Sequence, residues 1–282
     1  VTGVSGFVGS HVAMQLLAKG YAVRGTARGS KVSELRAAKV AQDTNFEIVE
    51  VEDIATAELG SALKDVEYII HTPSPLAGRA TFAEALESAV RGSLNVLEQA
   101  EKAGISKIVL ISSWATTMDR TSSELLCGVH STFQPEQLRW KKCIRAATEE
   151  DLLTGNNNPL WNYLATKILV EVAAWKFAKE HPSLALTMTN PPFIYGPLHV
   201  DFPTPDRTRL GANVMIYALI AGATGRVLPP QLAPFYCDVH DVARVHVRSL
   251  SVGKSDEQKR FLISGGTFTW KAAVEYLARG TS

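Results

Sequence analysis

The sequence predicts an α/β fold, in which a doubly wound parallel sheet is followed by a smaller, irregular C-terminal lobe. Strand-like and helix-like stretches alternate through the first two thirds of the chain, which is typical of this class. The apolar runs in the strands are nearly continuous, as expected when helices cover both faces of a parallel sheet. We therefore expect residues 1–190 to form the α/β domain and residues 191–282 to form mostly the second lobe.

The early elements follow from local periodicity. After a glycine-rich opening, Phe7 to Lys19 has helical spacing and stops at Gly20. Five strand candidates follow in order, each separated from the next by a helical segment: YAVRGTA, FEIVEV, EYIIH, KIVLIS and LALTMTN. The helix over 163–178 is apolar nearly all round, so it is buried on two sides. One side faces the sheet, and the other faces either a neighbouring helix or a second subunit, which leaves monomer and homodimer open.

The pattern changes after Asn190. The segment PPFIYGPLHVDFPTPDRTRLG is rich in proline and is followed by one helix, at about 212–221. We expect FYCDVHDVARVHV and FLISGG to return to the sheet. Because ligands of open α/β sheets bind beyond the carboxyl ends of the strands, a lobe placed there would close over a ligand. The opening Val1-Thr2 has the character of a strand tail, so we expect further residues upstream in the native protein.

Composition narrows the function classes. The chain has 282 residues, 46% of them hydrophobic and 20% charged, as in ordinary soluble globular proteins. Lys plus Arg (29) nearly balances Asp plus Glu (28), so we expect neither a nucleic acid nor a membrane as partner. Cys127, Cys143 and Cys237 lack the spacing of metal ligands. We expect free thiols, a cytoplasmic location and no metal.

The opening stretch VTGVSGFVGS predicts a dinucleotide site. Its glycines (Gly3, Gly6 and Gly9) match the needs of a tight turn, a close approach to phosphate and a helix–strand contact. The helix that follows offers unpaired N–H groups and its positive dipole end to a pyrophosphate. This is a Rossmann fingerprint in the expected context, and the loop contacts that we expect are Gly3, Ser5, Gly6, Phe7 and Val8. The alternative is a purely structural turn.

The end of the second strand indicates which dinucleotide binds. An NAD site usually has an acidic residue about 20 residues after the fingerprint, whereas this chain has Arg28 there and Lys31 nearby. A guanidinium can bind a 2′-phosphate that a carboxylate would repel. We therefore expect NADP(H), unless both cations are solvated surface charges. Asp53-Ile54 could contact the adenine, and Thr72 could contact the dinucleotide. Each of these residues could equally serve only the structure of its own loop.

Two further segments supply reactive groups. Ser113 follows the strand KIVLIS, and Tyr163 and Lys167 lie four residues apart on one face of the next long helix. A phenol ordinarily has a pKa near 10, which a nearby ammonium and a cationic nicotinamide would lower. With a serine hydroxyl on the substrate oxygen, the set suits hydride transfer at a carbonyl with tyrosine as general acid or base. A Tyr–Lys pair at this spacing also arises by chance.

Taken together, the chain resembles an extended short-chain dehydrogenase/reductase of the branch that holds dihydroflavonol reductases and fungal methylglyoxal or aldehyde reductases. The motifs that carry the resemblance occur in order: TGxxGxxG at 2–9, RGTAR at 24–28, HTPSP at 71–75, SSW at 112–114, YxxxK at 163–167 and NPPFIYGP at 190–197.

The resemblance implies roles for individual residues. It implies Ser113, Tyr163 and Lys167 as the catalytic trio, with Tyr163 and Lys167 also in contact with the cofactor, where Lys167 holds the nicotinamide ribose. It implies Arg28 as the 2′-phosphate ligand. It also implies further cofactor contacts at Asp53, Ile54, Pro191 and Ile194, with Asn213 as a looser phosphate contact. The implied substrate contacts are Leu76, Trp114 and Phe193.

The resulting prediction is an NADPH-dependent carbonyl reductase that acts on an aldehyde or ketone. Two alternatives remain open: an NAD-dependent nucleotide-sugar epimerase or dehydratase, and a non-catalytic NADP-binding regulator. The chain departs from the family pattern at Pro73, which stands where a small residue is usual, and in a long polar excursion between Ser113 and Tyr163.

Overall fold

The computed structural model describes residues 1–73, 81–117, 159–205, 210–221, 225, 227–231, 233–252 and 259–279. The helices are α1 (Phe7–Leu17), α2 (Ser30–Arg36), α3 (Gly60–Leu63), α4 (Phe82–Lys102), α5 (Pro159–Glu180), α6 (Asn213–Ala221), α7 (Val239–Leu250) and α8 (Trp270–Arg279). The strands are β1 (Val23–Ala27), β2 (Phe46–Glu50), β3 (Tyr68–His71), β4 (Lys107–Ile111), β5 (Ala185–Asn190), β6 (Phe193–Tyr195), β7 (Phe235–Asp238), β8 (Lys259–Leu262) and β9 (Gly266–Thr267).

The main sheet is parallel and doubly wound, which confirms the predicted fold class. Strand β1 pairs with β2, and β3, β4, β5 and β8 pair in that order. Thr2 joins the two sets, because it forms parallel bridges to both Thr26 and His71. The strand order reverses at Thr2, and the glycine loop starts there. Such a switch point is where open α/β sheets bind their ligands.

Two apolar cores cover the two faces of this sheet. On one face α1 packs against α7, with Val12 and Val247 among the buried residues. On the other face α5 packs against α4, with Leu97 and Ala174 buried. The second buried side of α5 therefore belongs to a neighbouring helix, which was one of the two predicted outcomes.

The C-terminal segments divide between two sheets. The segment around FLISGG returns to the main sheet as predicted, since β8 pairs with β5. The stretch FYCD does not: β7 pairs with β6 and β9 in a separate three-stranded sheet. The helix after it, α7, packs back onto α1, because its apolar stripe is buried there while its polar face stays in solvent.

Candidate active site

The glycine loop is built for close backbone contact. Gly3 has a φ of +68°, a conformation that glycine adopts without strain. A Cβ at Gly3 would lie 2.9 Å from Pro73 Cγ. A Cβ at Gly9 would lie 2.3 Å from the carbonyl oxygen of Gly3. The first and third glycines thus serve the turn and the helix–strand contact, as the motif predicts.

The glycine loop leads into helix α1, whose N-terminus has no side-chain cap. The cap of α1 is Gly6, no side chain caps the helix, and its first turn carries no acidic residue. The first N–H groups of a helix have no partner within it, so they are suited to hold phosphate. Thr72 supports the loop from the next strand, since its hydroxyl donates to the carbonyl oxygen of Thr2 at 2.8 Å.

The two cations proposed for the 2′-phosphate differ in their surroundings. Arg28 directly follows β1 and is exposed, and within the described ranges its side chain makes no hydrogen bond or ion pair. Lys31 lies in the first turn of α2 and forms an ion pair with Glu34. Of the two, Arg28 is the cation whose charge is available to a ligand.

The predicted adenine contacts are engaged within their own loop. The Asp53 carboxylate accepts hydrogen bonds from Ala55 N at 3.0 Å and Thr56 Oγ1 at 3.2 Å. Ile54 packs towards α4, where a Cβ on Gly92 would lie 2.9 Å from its Cγ2. These contacts shape the loop, and the adenine role of both residues stays a prediction.

The three predicted catalytic residues lie together. Tyr163 and Lys167 occupy successive turns of α5, and Lys167 Nζ is 6.0 Å from the Tyr163 ring centroid. The Ser113 side chain, just beyond the carboxyl end of β4, lies close enough to the Tyr163 phenol to influence its pKa. The loop around Ser113 is held by Trp114 N, which donates to the Pro191 carbonyl oxygen at 2.9 Å.

Burial sets the protonation of this set. It raises the pKa of Tyr163 above its ordinary value, while the nearby Ser113 side chain acts in the opposite direction. The phenol therefore stays protonated at neutral pH, as a general acid must. Burial also lowers the pKa of Lys167 to about 8, and the Glu171 charge partly offsets that shift. His71 is kept neutral by burial and by Lys167, with a pKa of about 3.

The remaining predicted cofactor contacts, Ile194, Val8 and Asn213, lie in different surroundings. The cofactor candidates Ile194 and Val8 both pack against one cluster of buried apolar residues. Asn213 instead clamps Gly196: its Nδ2 donates to the Gly196 carbonyl oxygen at 3.0 Å, and its Oδ1 accepts from Gly196 N at 3.3 Å. Both ends of the amide are therefore engaged by backbone, and its phosphate role stays a prediction.

The predicted substrate contacts are aromatic and partly enclosed. Trp114 is buried, and its ring centroid is 4.9 Å from that of Phe235. Phe193 is half-buried on β6, with its ring 6.5 Å from that of Tyr195. Leu76 and most of the excursion between Ser113 and Tyr163 lie outside the described residues.

Sequence reasoning missed a buried acid in the same helix. Glu171 is 1% exposed and is hydrogen-bonded to Ser112, the neighbour of Ser113. A signal was present, because Tyr163, Lys167 and Glu171 continue one four-residue spacing along an otherwise apolar helix.

Other features of the described residues lie apart from this set. A cavity of about 480 Å³ lies at the amino-terminal ends of the strands, near Arg24, Phe46 and Tyr68, which is the opposite end of the sheet from the glycine loop. Among the described residues, no group of three His, Cys, Asp or Glu side chains could hold a metal ion. No helix in those ranges is long and apolar enough to cross a membrane.

Comparisons with known proteins give matches that cover most of the chain. A family model described as the NAD dependent epimerase/dehydratase family matches residues 1–264. A Schizosaccharomyces pombe protein named as an uncharacterized oxidoreductase is 35% identical over 281 residues, which is 95% of this chain and 78% of the relative. Aldehyde reductase 2 of Sporidiobolus salmonicolor is 28% identical, with 97% of this chain and 78% of the relative covered.

A solved structure shows the same fold with its cofactor. The yeast methylglyoxal/isovaleraldehyde reductase Gre2, solved with NADPH, superposes with a TM-score of 0.78 at 25% identity. The match covers 99% of this chain and 81% of the yeast protein.

Proposed function

Since this chain belongs to the NAD dependent epimerase/dehydratase family, we propose that it is an NADPH-dependent carbonyl reductase that converts an aldehyde or ketone to the alcohol. One observation carries the proposal: Ser113 lies close enough to Tyr163 to influence the pKa of its phenol, and Lys167 lies one helical turn away. This set lies at the carboxyl ends of the strands, where the glycine loop also begins. The names of the relatives, an aldehyde reductase and a methylglyoxal/isovaleraldehyde reductase, support a small aldehyde as substrate.

The residues present fit NADPH. The open N-terminus of α1 suits the pyrophosphate, and Arg28 stands where an NAD site has an acid. When bound, NADPH supplies a hydride to the carbonyl carbon. Tyr163 gives a proton to the carbonyl oxygen from a phenol that burial keeps protonated. Ser113 orients that oxygen, and the Lys167 ammonium stabilises the phenolate that remains.

We also propose a cytoplasmic protein, monomer or homodimer, whose partner is a small carbonyl compound. The free, buried thiol of Cys237 supports a reducing compartment. The near balance of acidic and basic residues supports the absence of a nucleic-acid partner.

The first test of the proposed function is cofactor titration on the wild type and on Arg28→Ala. We expect NADPH to bind more tightly than NADH, and the preference to fall roughly tenfold in the variant, because a charge-assisted pair to the 2′-phosphate is lost. Equal or tighter binding of NADH would favour an epimerase or dehydratase instead.

A second variant distinguishes a carbonyl reductase from a non-catalytic NADP-binding regulator. Tyr163→Phe removes the proton donor but keeps the ring, so aldehyde turnover should fall by about 100-fold or more while NADPH affinity stays close to that of wild type. A wild type that binds NADPH but reduces no carbonyl compound would instead support a regulator.

A further inference from the structure

We propose that Glu171 and Arg260, a buried ion pair behind the active site, are positioning residues for Ser113 and Lys167. This inference rests on the proposed function. Arg260 comes from β8, the edge strand that pairs with β5, and Glu171 comes from the catalytic helix α5. Their side chains are 9% and 2% exposed.

Every described group around the Glu171 carboxylate is a donor or a cation. Ser112 Oγ donates at 2.6 Å and Asn190 Nδ2 at 3.1 Å to one oxygen. Trp175 Nε1 donates at 3.3 Å to the other oxygen, and Arg260 Nε lies 2.5 Å from it. The Arg260 contact lacks the alignment of a hydrogen bond, so the attraction there is between charges. The surroundings therefore match the ionised carboxylate.

The network reaches Ser113 from two directions. Ser112, which is bonded to Glu171, is its immediate neighbour in the chain. Asn190 Nδ2 also donates to the Ser113 carbonyl oxygen at 3.0 Å and to Thr116 Oγ1 at 3.0 Å. Because carboxylate and carbonyl oxygens both face Nδ2, the Asn190 amide has one possible orientation. In that orientation Asn190 Oδ1 is buried without a hydrogen-bond partner among the described residues.

Stability alone does not account for this arrangement. Apolar residues of similar volume often replace a buried ion pair without loss of stability. An unsatisfied buried oxygen is a cost in itself. What the network does provide is a fixed relation between the end of β4, the end of β5 and helix α5. Those are the elements that carry Ser113, Asn190 and Lys167.

The pair also acts on Lys167 through charge. Glu171 lies one turn beyond Lys167, and its negative charge opposes the effect of burial, which leaves the pKa of Lys167 at about 8. The other titratable groups that face this lysine are Tyr163 on the same helix and His71 at the end of β3, and both are uncharged at neutral pH. Without Glu171, Lys167 would lose its proton at lower pH.

The test uses Glu171→Gln/Arg260→Met, which removes both charges and leaves neither unpaired. We expect its melting temperature to stay close to that of wild type. For NADPH with a small aldehyde, the basic limb of the pH profile of kcat should move about one unit lower, and kcat should fall roughly tenfold or more with little change in KM. Because Lys167 is also a predicted cofactor contact, NADPH affinity, titrated across pH without any carbonyl compound, should weaken at correspondingly lower pH.

Two further variants keep the result decisive. Glu180→Gln changes an exposed acid on the same helix and should leave all three measurements unchanged. Ser112→Ala removes one bond to Glu171 and keeps the ion pair, so kcat should fall severalfold with no shift of the basic limb. If the double variant does not fold, the Ser112→Ala result decides: an unchanged kcat overturns the proposal.

The outcomes also separate this inference from the proposed function. If the wild type reduces no carbonyl compound, the proposed function is wrong. The pH dependence of NADPH binding then still tests the role of the Glu171–Arg260 pair. A wild type that reduces aldehydes, together with a folded double variant that keeps the wild-type pH profile and kcat, refutes the positioning role alone.

Discussion

Gly9→Ala tests the steric argument for the glycine loop. A Cβ at this position would lie 2.3 Å from the Gly3 carbonyl oxygen, and real Cβ atoms essentially never approach closer than 3.0 Å. The obstructing atom belongs to the backbone, so α1 must move away from the loop by at least about 0.7 Å. Overpacking costs about 1–3 kcal/mol, and the better helix propensity of alanine returns up to about 1 kcal/mol.

We therefore expect Gly9→Ala to lower the free energy of unfolding by about 1–2 kcal/mol and to weaken NADPH binding roughly tenfold, because the helix N-terminus leaves its place at the loop. Denaturant unfolding and a fluorescence titration with NADPH measure the two effects. Gly60→Ala is the matched control, since a Cβ there meets nothing within 4 Å. If Gly9→Ala stays within about 0.5 kcal/mol of wild type and keeps its NADPH affinity, the argument is wrong.

Three other predictions follow from local contacts. His246 is fully buried with both ring nitrogens hydrogen-bonded, and burial lowers its pKa from 6.5 to about 4. As the pH is lowered, this residue is therefore protonated in the unfolded chain before it is protonated in the folded protein. The free energy of unfolding keeps its full value above pH 6.5 and falls by up to about 3 kcal/mol as the pH drops to about 4. His246→Asn should flatten that slope in unfolding measured across pH. Thr81→Ala removes the capping box of α4 and should cost about 1 kcal/mol, seen as a lower melting temperature with unchanged NADPH affinity. Lys31→Ala should change NADPH affinity less than threefold, because Glu34 already neutralises that cation; a loss as large as that of Arg28→Ala would assign Lys31 to the 2′-phosphate.

Local patterns determined much of this protein. The glycine spacing, the helix after it and the near-continuous apolar strands all depend on residues close together in the chain, so their geometry is written in the sequence. The same holds for Tyr163 and Lys167, since a four-residue spacing places two side chains on one face of any helix. The fold class and the grouping of the candidate catalytic residues on it were therefore within reach of sequence reasoning.

Only the tertiary structure decided what surrounds those groups. Asn213 is hydrogen-bonded to Gly196, and the carboxylate of Glu171 lies against the guanidinium of Arg260 from β8. No spacing in the sequence identifies Gly196 or Arg260 as these partners. The strand Phe235–Asp238 joined a separate sheet for the same kind of reason. Burial and pairing depend on segments that are distant in the chain and adjacent only after folding, and these contacts set the charge and orientation of the reactive groups.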